Sequence, residues 1–184
     1  MEVAGAIGII AAVLVLGWAA VAYNGLIHRR NRVDATWSDV DVLLRRRHDL
    51  VPNLVSAVRA YAGHESATLQ AAVDARTAAI AAAGPAAQGR AESALADDVK
   101  SVFAVAESYP NLKASEAFVA LQEQLTATED GIEHARQFYN DAVYGYQTAT
   151  QTLPTSLLAA LLRFQPRQYF QAATGERAGV TARP

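Results

Sequence analysis

Apolar positions along this chain fall into three patterns, and the first is an unbroken run. From Val3 to Val21 (VAGAIGIIAAVLVLGWAAV) no residue carries a charge. At helical rise the run spans roughly 28 Å, close to the hydrocarbon thickness of a bilayer. Trp18 and Tyr23 stand near its end, where aromatic rings favour a membrane interface, and Arg29, Arg30 and Arg32 follow. The run predicts a transmembrane anchor over residues 1–23. The competing reading is a cleaved signal peptide with Ala20-Val21-Ala22 as the cleavage site. Against it, only Glu2 precedes the run, where a signal peptide has a basic start, and the apolar stretch is long. Positive charge lies only on the C-terminal side. The positive-inside rule then sets the rest of the chain on the cytoplasmic side, with the periplasmic side as the alternative.

The second pattern is a stripe. Val33, Trp37, Val40, Leu44, Val51, Leu54, Val58 and Tyr61 recur in steps of four and three, with one missing beat at Arg47. This is the heptad spacing of bundle helices. Arg47 therefore holds a seam position. Pro52 lies off the stripe; a proline is tolerated in the first turn of a helix, and Asp49 is a good N-cap for one starting at Leu50. A helix joint at Asp49 and Pro52 is the expectation. The unbroken phase of the stripe supports the alternative, one long helix bent at Pro52. A second helix is expected from about Leu50 to Ala83, ended by Gly84-Pro85, and a third over Arg90–Ser108 with Leu95, Val99, Val102 and Ala106 on one face. After the Tyr109-Pro110-Asn111 turn a long fourth helix carries Leu121, Leu125, Thr128, Ile132, Ala135, Tyr139, Ala142 and Tyr146, again in steps of four and three. Short connections favour antiparallel neighbours. The expected fold is all-α: an N-terminal transmembrane helix followed by an antiparallel up-and-down four-helix bundle over residues 24–152.

The third pattern is TSLLAALLRFQPRQYF. Leu157, Leu158, Leu161 and Leu162 share a face, and Arg163 and Arg167 are the only charges. The stretch 153–172 is too short to span a bilayer. It reads either as an amphipathic segment at the membrane surface or as a terminal helix packed on the bundle. The tail, 173–184, is expected to be disordered.

Composition changes this picture in two ways. The absence of cysteine excludes disulfides, thiolate catalysis and cysteine-held metals. A net charge of −2 gives no global electrostatic case for nucleic acid. Candidate chemistry is thin. His48-Asp49 and His64-Glu65 are pairs of metal-ligating types, but the two histidines are separated by roughly 24 Å at helical rise, beyond the reach of one ion. The H-E-x-x-H spacing, G-x-S-x-G and glycine-rich phosphate loops are all missing. No catalytic residue, cofactor or metal is assigned, and an enzyme is not expected.

What remains is charge in structural positions. An arginine on a seam must be paired, because an unpaired buried charge is prohibitively costly. Glu129, beside the seam residue Thr128, is the expected partner of Arg47, and Arg136 is placed to meet Asp41 or Glu65. These four, Arg47, Glu129, Asp41 and Arg136, form the expected register-setting network. Trp18, Tyr23, Arg29, Arg30, Arg32, Arg163 and Arg167 are the candidates for the membrane interface. Gly5, Gly8 and Ala12 leave a small-residue face on the anchor, which keeps a homo-oligomer open.

The stretch YNGLIHRRNRVDATWSDVDVLLRRRHDLVPNLVSAVRAYAGHE, Tyr23 to Glu65, closely resembles the hallmark region of the LemA family. Two further blocks are similar: Tyr109 to Tyr146 and LLRFQPRQYF near the C-terminus. One small departure is Thr36 before Trp37, where alanine is usual. The resemblance implies a single-pass protein of the bacterial inner membrane carrying a helical bundle, and it implies no reaction. Family genes often lie near genes for membrane proteases and envelope proteins, and some branches are associated with membrane biogenesis. The expected partners are therefore the lipid bilayer and unidentified membrane or envelope proteins, without nucleic acid. The expected role is a non-catalytic scaffold or adaptor. A self-assembling membrane-shaping protein and a regulatory partner of a membrane protease are the alternatives.

Overall fold

The computed structural model of the chain describes residues 2–171, with side chains from Gly5 onward. Its elements, in order, are α1 (Glu2–Arg59), α2 (Ser66–Ala81), α3 (Pro85–Ala106), α4 (Pro110–Lys113), α5 (Glu116–Gln151) and α6 (Thr155–Leu161). The described residues contain no strand, so the chain is all-helical and opens with a long apolar helix. The tail at 173–184 lies outside the described residues.

The joint expected at Asp49 and Pro52 is not there. Helix α1 runs through Pro52 without interruption, and Asp49 is an exposed mid-helix residue rather than a cap. Proline in a helix interior costs about 3 kcal/mol, largely because it has no amide hydrogen for the carbonyl four residues back. Here that carbonyl belongs to His48, and Arg76 of α2 donates to it from Nε at 2.6 Å. The remaining cost is outweighed by burial. Val51, Leu54, Val55 and Val58 lie at 3% exposure or less, and each such side chain stabilises by about 1.5–3 kcal/mol. These residues keep one face to the core only if the helix continues in phase. The pyrrolidine ring itself is exposed.

The chain turns instead after Arg59, where the Ala62 amide donates to the Val58 carbonyl at 2.8 Å and the Glu65 amide to the Ala62 carbonyl at 3.0 Å. Helix α2 is correspondingly shorter than expected, and α3 begins at Pro85 rather than near Arg90. Between them Gly84 adopts φ +83°, a conformation that side-chain-bearing residues rarely take, and Pro85 opens α3 where its missing amide hydrogen costs nothing.

Two compact units divide the chain, each taking part of α1 and part of α5. Residues 38–137 with 168–171 form one. Its core gathers Val51, Leu54 and Val58 of α1, Leu69 and Ala72 of α2, Leu95 and Val102 of α3, Leu112 of α4 and Phe118 of α5. Phe103 and Phe118 meet edge to face at 5.9 Å. Phe170 is buried here too, and a Cβ at Gly89 would collide with the main chain of Gln171, so this close approach requires glycine.

The other unit comprises residues 1–37 and 138–167. Leu26 and Val33 of α1 are buried in it, as are Tyr139, Val143 and Tyr146 of α5 and Ala159 of α6. Trp37 leans on Tyr139 at 5.2 Å, and Tyr23 meets Phe164 at 6.3 Å. After α6 the chain folds back along the helices. Tyr146 Oη donates to the Gln165 carbonyl at 2.8 Å, and Gln147 Nε2 to that of Arg167 at 2.7 Å. The four leucines of this stretch do not share an inward face. Ala159 is the buried residue of α6, while Leu157 and Leu161 are 68% and 77% exposed.

Candidate functional site

The densest polar cluster lies inside the unit formed by residues 38–137. Arg47 is at the seam position of α1 where the apolar stripe skips a beat, and it is 2% exposed. Its Nη1 donates to Glu129 Oε2 of α5 at 2.6 Å. Its Nη2 bonds the carboxylate of Glu92 on α3 and, at 3.1 Å, the main-chain oxygen of the same residue. His48 Nε2 donates to Glu92 Oε1 at 2.7 Å. Gln88, one turn earlier on α3, donates from Nε2 both to that oxygen at 2.7 Å and to the Ala79 carbonyl of α2 at 2.9 Å. The cluster thus ties α1, α2, α3 and α5 together through one buried carboxylate. Arg47 Nε is buried without an acceptor, so the clasp is not fully satisfied.

Opposing effects act on Glu92. Burial pushes its carboxyl pKa upward, while the His48 hydrogen bond and the charge and hydrogen bond of Arg47 pull it down. The downward effects win, and Glu92 sits below the ordinary glutamate value of 4.5. It is held as a carboxylate whose oxygens are filled by protein donors. A cavity of about 220 Å³ adjoins Arg47 and Glu129, floored by Val99, Phe103 and Leu125, but neither Glu92 nor His48 lines it. The acid and the imidazole that an acid–base reaction would use are turned into the fold.

Of the residues expected in the network, Arg47 and Glu129 come together. Asp41 pairs with Arg45 of its own helix at 2.7 Å, and Arg136 is half-buried on α5. Glu92, Gln88 and Arg76 are members that the apolar pattern did not reveal. Stepping back from Leu95 by three residues and then four gives Glu92 and Gln88, so the α3 stripe carried the signal in polar residues. His64 is exposed in the turn before α2, well apart in sequence from the cluster. Among the described residues no group of three or more metal-ligating side chains converges.

The second feature is apolar. Between Ile7 and Val21 the large side chains of α1 are exposed, from 41% at Trp18 to 74% at Val21. Tyr23 is 43% exposed at the end of this length. Arg29 donates to the Gly145 carbonyl at 3.4 Å, Arg32 is exposed, and Arg167 pairs with Asp34 at 2.8 Å. Arg30, Arg163 and Arg167 line a cavity of about 430 Å³ beside Tyr23.

Comparison with known proteins bears on this architecture. The family model described as "LemA family" matches residues 36–182. The chain is also similar to magnetosome proteins MamQ 2 and MamQ 1 of Paramagnetospirillum magneticum, each 22% identical over 191 residues that cover 90% of this chain and 70% of the relative. The matched span includes the seam arginine, the carboxylates around it and the stretch that folds back after α6; on that match, the chain belongs to the LemA family.

Proposed function

We propose that this protein is a single-pass, membrane-anchored helical scaffold, without catalytic activity of its own, that presents its helical domain to protein partners or lipid at the inner surface of a bacterial cell membrane. The observation that carries this reading is the exposed apolar length of α1. The 18-residue window that is most apolar has none of its residues buried. A row of exposed isoleucines, leucines and valines of this extent is costly in water and favourable in hydrocarbon. The basic residues that follow it favour a cytoplasmic domain. The non-catalytic part of the reading is supported by the buried Glu92–His48 pair, in which both Glu92 oxygens and His48 Nε2 are taken up by partners within the fold. Membership of the LemA family fits a protein of this build, and the MamQ relatives are magnetosome proteins.

Alkaline carbonate washing of membranes from cells making the full chain tests the anchor. The full chain stays with the lipid pellet, and a variant lacking residues 1–23 is recovered in the supernatant. Release of the full chain by carbonate sinks the reading.

A further inference from the structure

We propose that the cavity beside the end of the apolar run is a binding site for the phosphate headgroup of an anionic phospholipid. This rests on the membrane-anchored reading above and adds a ligand to it. All of the cavity belongs to the unit formed by residues 1–37 and 138–167. Three arginines converge on it: Arg30 from α1, and Arg163 and Arg167 from the stretch after α6. Arg167 is balanced by Asp34. Arg30 and Arg163 have no carboxylate partner among the described residues. Acids are absent from the surrounding sequence, from Val3 to Val33 and again from Ala142 to Gln171. Among the described residues, Asp34 is thus the carboxylate that an arginine of the cavity meets.

Two further observations point to a lipid rather than to water-borne charge. The walls are mixed, with Tyr23, Leu162 and Phe164 lining the same space as the arginines. That combination suits a headgroup phosphate joined to a glycerol and its acyl esters. The depth also fits. Arg30 lies about 10 Å along the helix beyond Tyr23, at the level of a headgroup layer if the apolar run fills the hydrocarbon. Arg163 takes φ +56°, the left-handed conformation in which glycine usually ends a helix. An arginine held there, at a conformational cost that glycine would avoid, is a placement the fold maintains.

Native mass spectrometry of the full chain, solubilised from nanodiscs of phosphatidylcholine with and without phosphatidylglycerol, reads the site directly. The expected result is retained phosphatidylglycerol with at least about a tenfold preference over phosphatidylcholine, the size of one lost charge-assisted hydrogen bond. Arg30→Gln with Arg163→Gln abolishes that preference, whereas Arg46→Gln with Arg59→Gln, which removes the same charge elsewhere, keeps it. Glycerol 3-phosphate at millimolar concentration does not displace the lipid. Equal retention of both lipids, or an unchanged preference in the Arg30/Arg163 variant with its melting temperature intact, overturns the site. Displacement by glycerol 3-phosphate assigns the cavity to a soluble phosphate and overturns the lipid assignment. Carbonate extraction of the same preparations separates the two claims. A carbonate-resistant chain without lipid preference refutes the pocket alone, and a carbonate-released chain refutes the anchor and the pocket's setting together.

Discussion

Glu92→Gln is the most informative perturbation of the domain. The change keeps size and shape and removes one charge. In the wild type three side-chain donors, from Arg47, His48 and Gln88, meet the Glu92 carboxylate inside a core where Arg47 and Glu92 are 2% and 3% exposed. A carboxamide offers one oxygen, and its NH2 must face a donor. Breaking a buried charge pair from one side costs about 3–5 kcal/mol. Arg47 keeps the Glu129 carboxylate at 2.6 Å and the Glu92 main-chain oxygen at 3.1 Å, which sets the expected loss at the lower end, about 3 kcal/mol. For a chain of this size that is a fall in melting temperature of roughly 6–12 °C. Thermal unfolding of the full chain in detergent, followed by circular dichroism at pH 7, measures it. A cycle with Arg47→Met sharpens the test, because the double variant no longer buries an uncompensated charge. It should be no less stable than Glu92→Gln alone. A fall below about 2 °C for Glu92→Gln, or strictly additive losses in the cycle, refutes the account of the cluster as a clasp.

Three further outcomes follow from the same geometry. The Glu92 carboxyl is depressed in the fold, so its contribution is fully present above the ordinary value of 4.5 and is lost as pH falls through the lower folded value. Acid unfolding of the wild type should therefore include a component below pH 4.5 that Glu92→Gln lacks, seen as a shallower acid limb in stability against pH. Burial pushes the Tyr139 phenol up to about 12, against the pull of Arg167 and with a small push from Asp34. Its contribution is present below the ordinary value of 10 and is lost as pH rises towards 12, so Tyr139→Phe should flatten that alkaline decline and remove the latest-ionising phenol from an ultraviolet titration. Arg76→Met leaves the His48 carbonyl without its donor and should cost about 1–3 kcal/mol in the wild type. In a Pro52→Ala background the restored amide takes over, and the same change should cost clearly less; equal costs in denaturant melts would contradict the role given to Arg76.

The helical pattern of α5 is legible because its stripe is apolar at every beat but Thr128, and Leu121 to Tyr146 are buried in the order the period demands. The seam position of Arg47 was legible for the opposite reason, as the one beat where the α1 stripe failed. Pro52 misled because local rules see only the hydrogen bond that proline removes. The replacement donor comes from Arg76, distant in sequence, and no local pattern displays it. Glu92 is hidden from an apolar pattern because it and Gln88 continue the α3 period in polar residues. A seam that ends in Glu92 and Gln88 is as informative as one that ends in leucine. Asp41 meets Arg45, one turn away on the same face, rather than the expected partner across helices, because the local i,i+4 reach is shorter. The return of the chain after α6 depends on main-chain oxygens of Gln165 and Arg167 meeting Tyr146 and Gln147, and main-chain acceptors leave no mark in composition.

The proposed placement of the exposed apolar length of α1 in a bilayer, with the helical domain on the cytoplasmic face, is open to a direct test. The chain contains no cysteine, so single cysteines report position without background. Val13→Cys, in the apolar run, and Gln122→Cys, on the exposed face of α5, should be labelled with a membrane-impermeant maleimide in intact cells, in permeabilised cells and after solubilisation. Gln122→Cys should react only once cells are permeabilised, and Val13→Cys should stay unreacted until the membrane is dissolved. Reaction at position 13 in native membranes would contradict the anchor, and reaction at position 122 in intact cells would contradict the cytoplasmic placement.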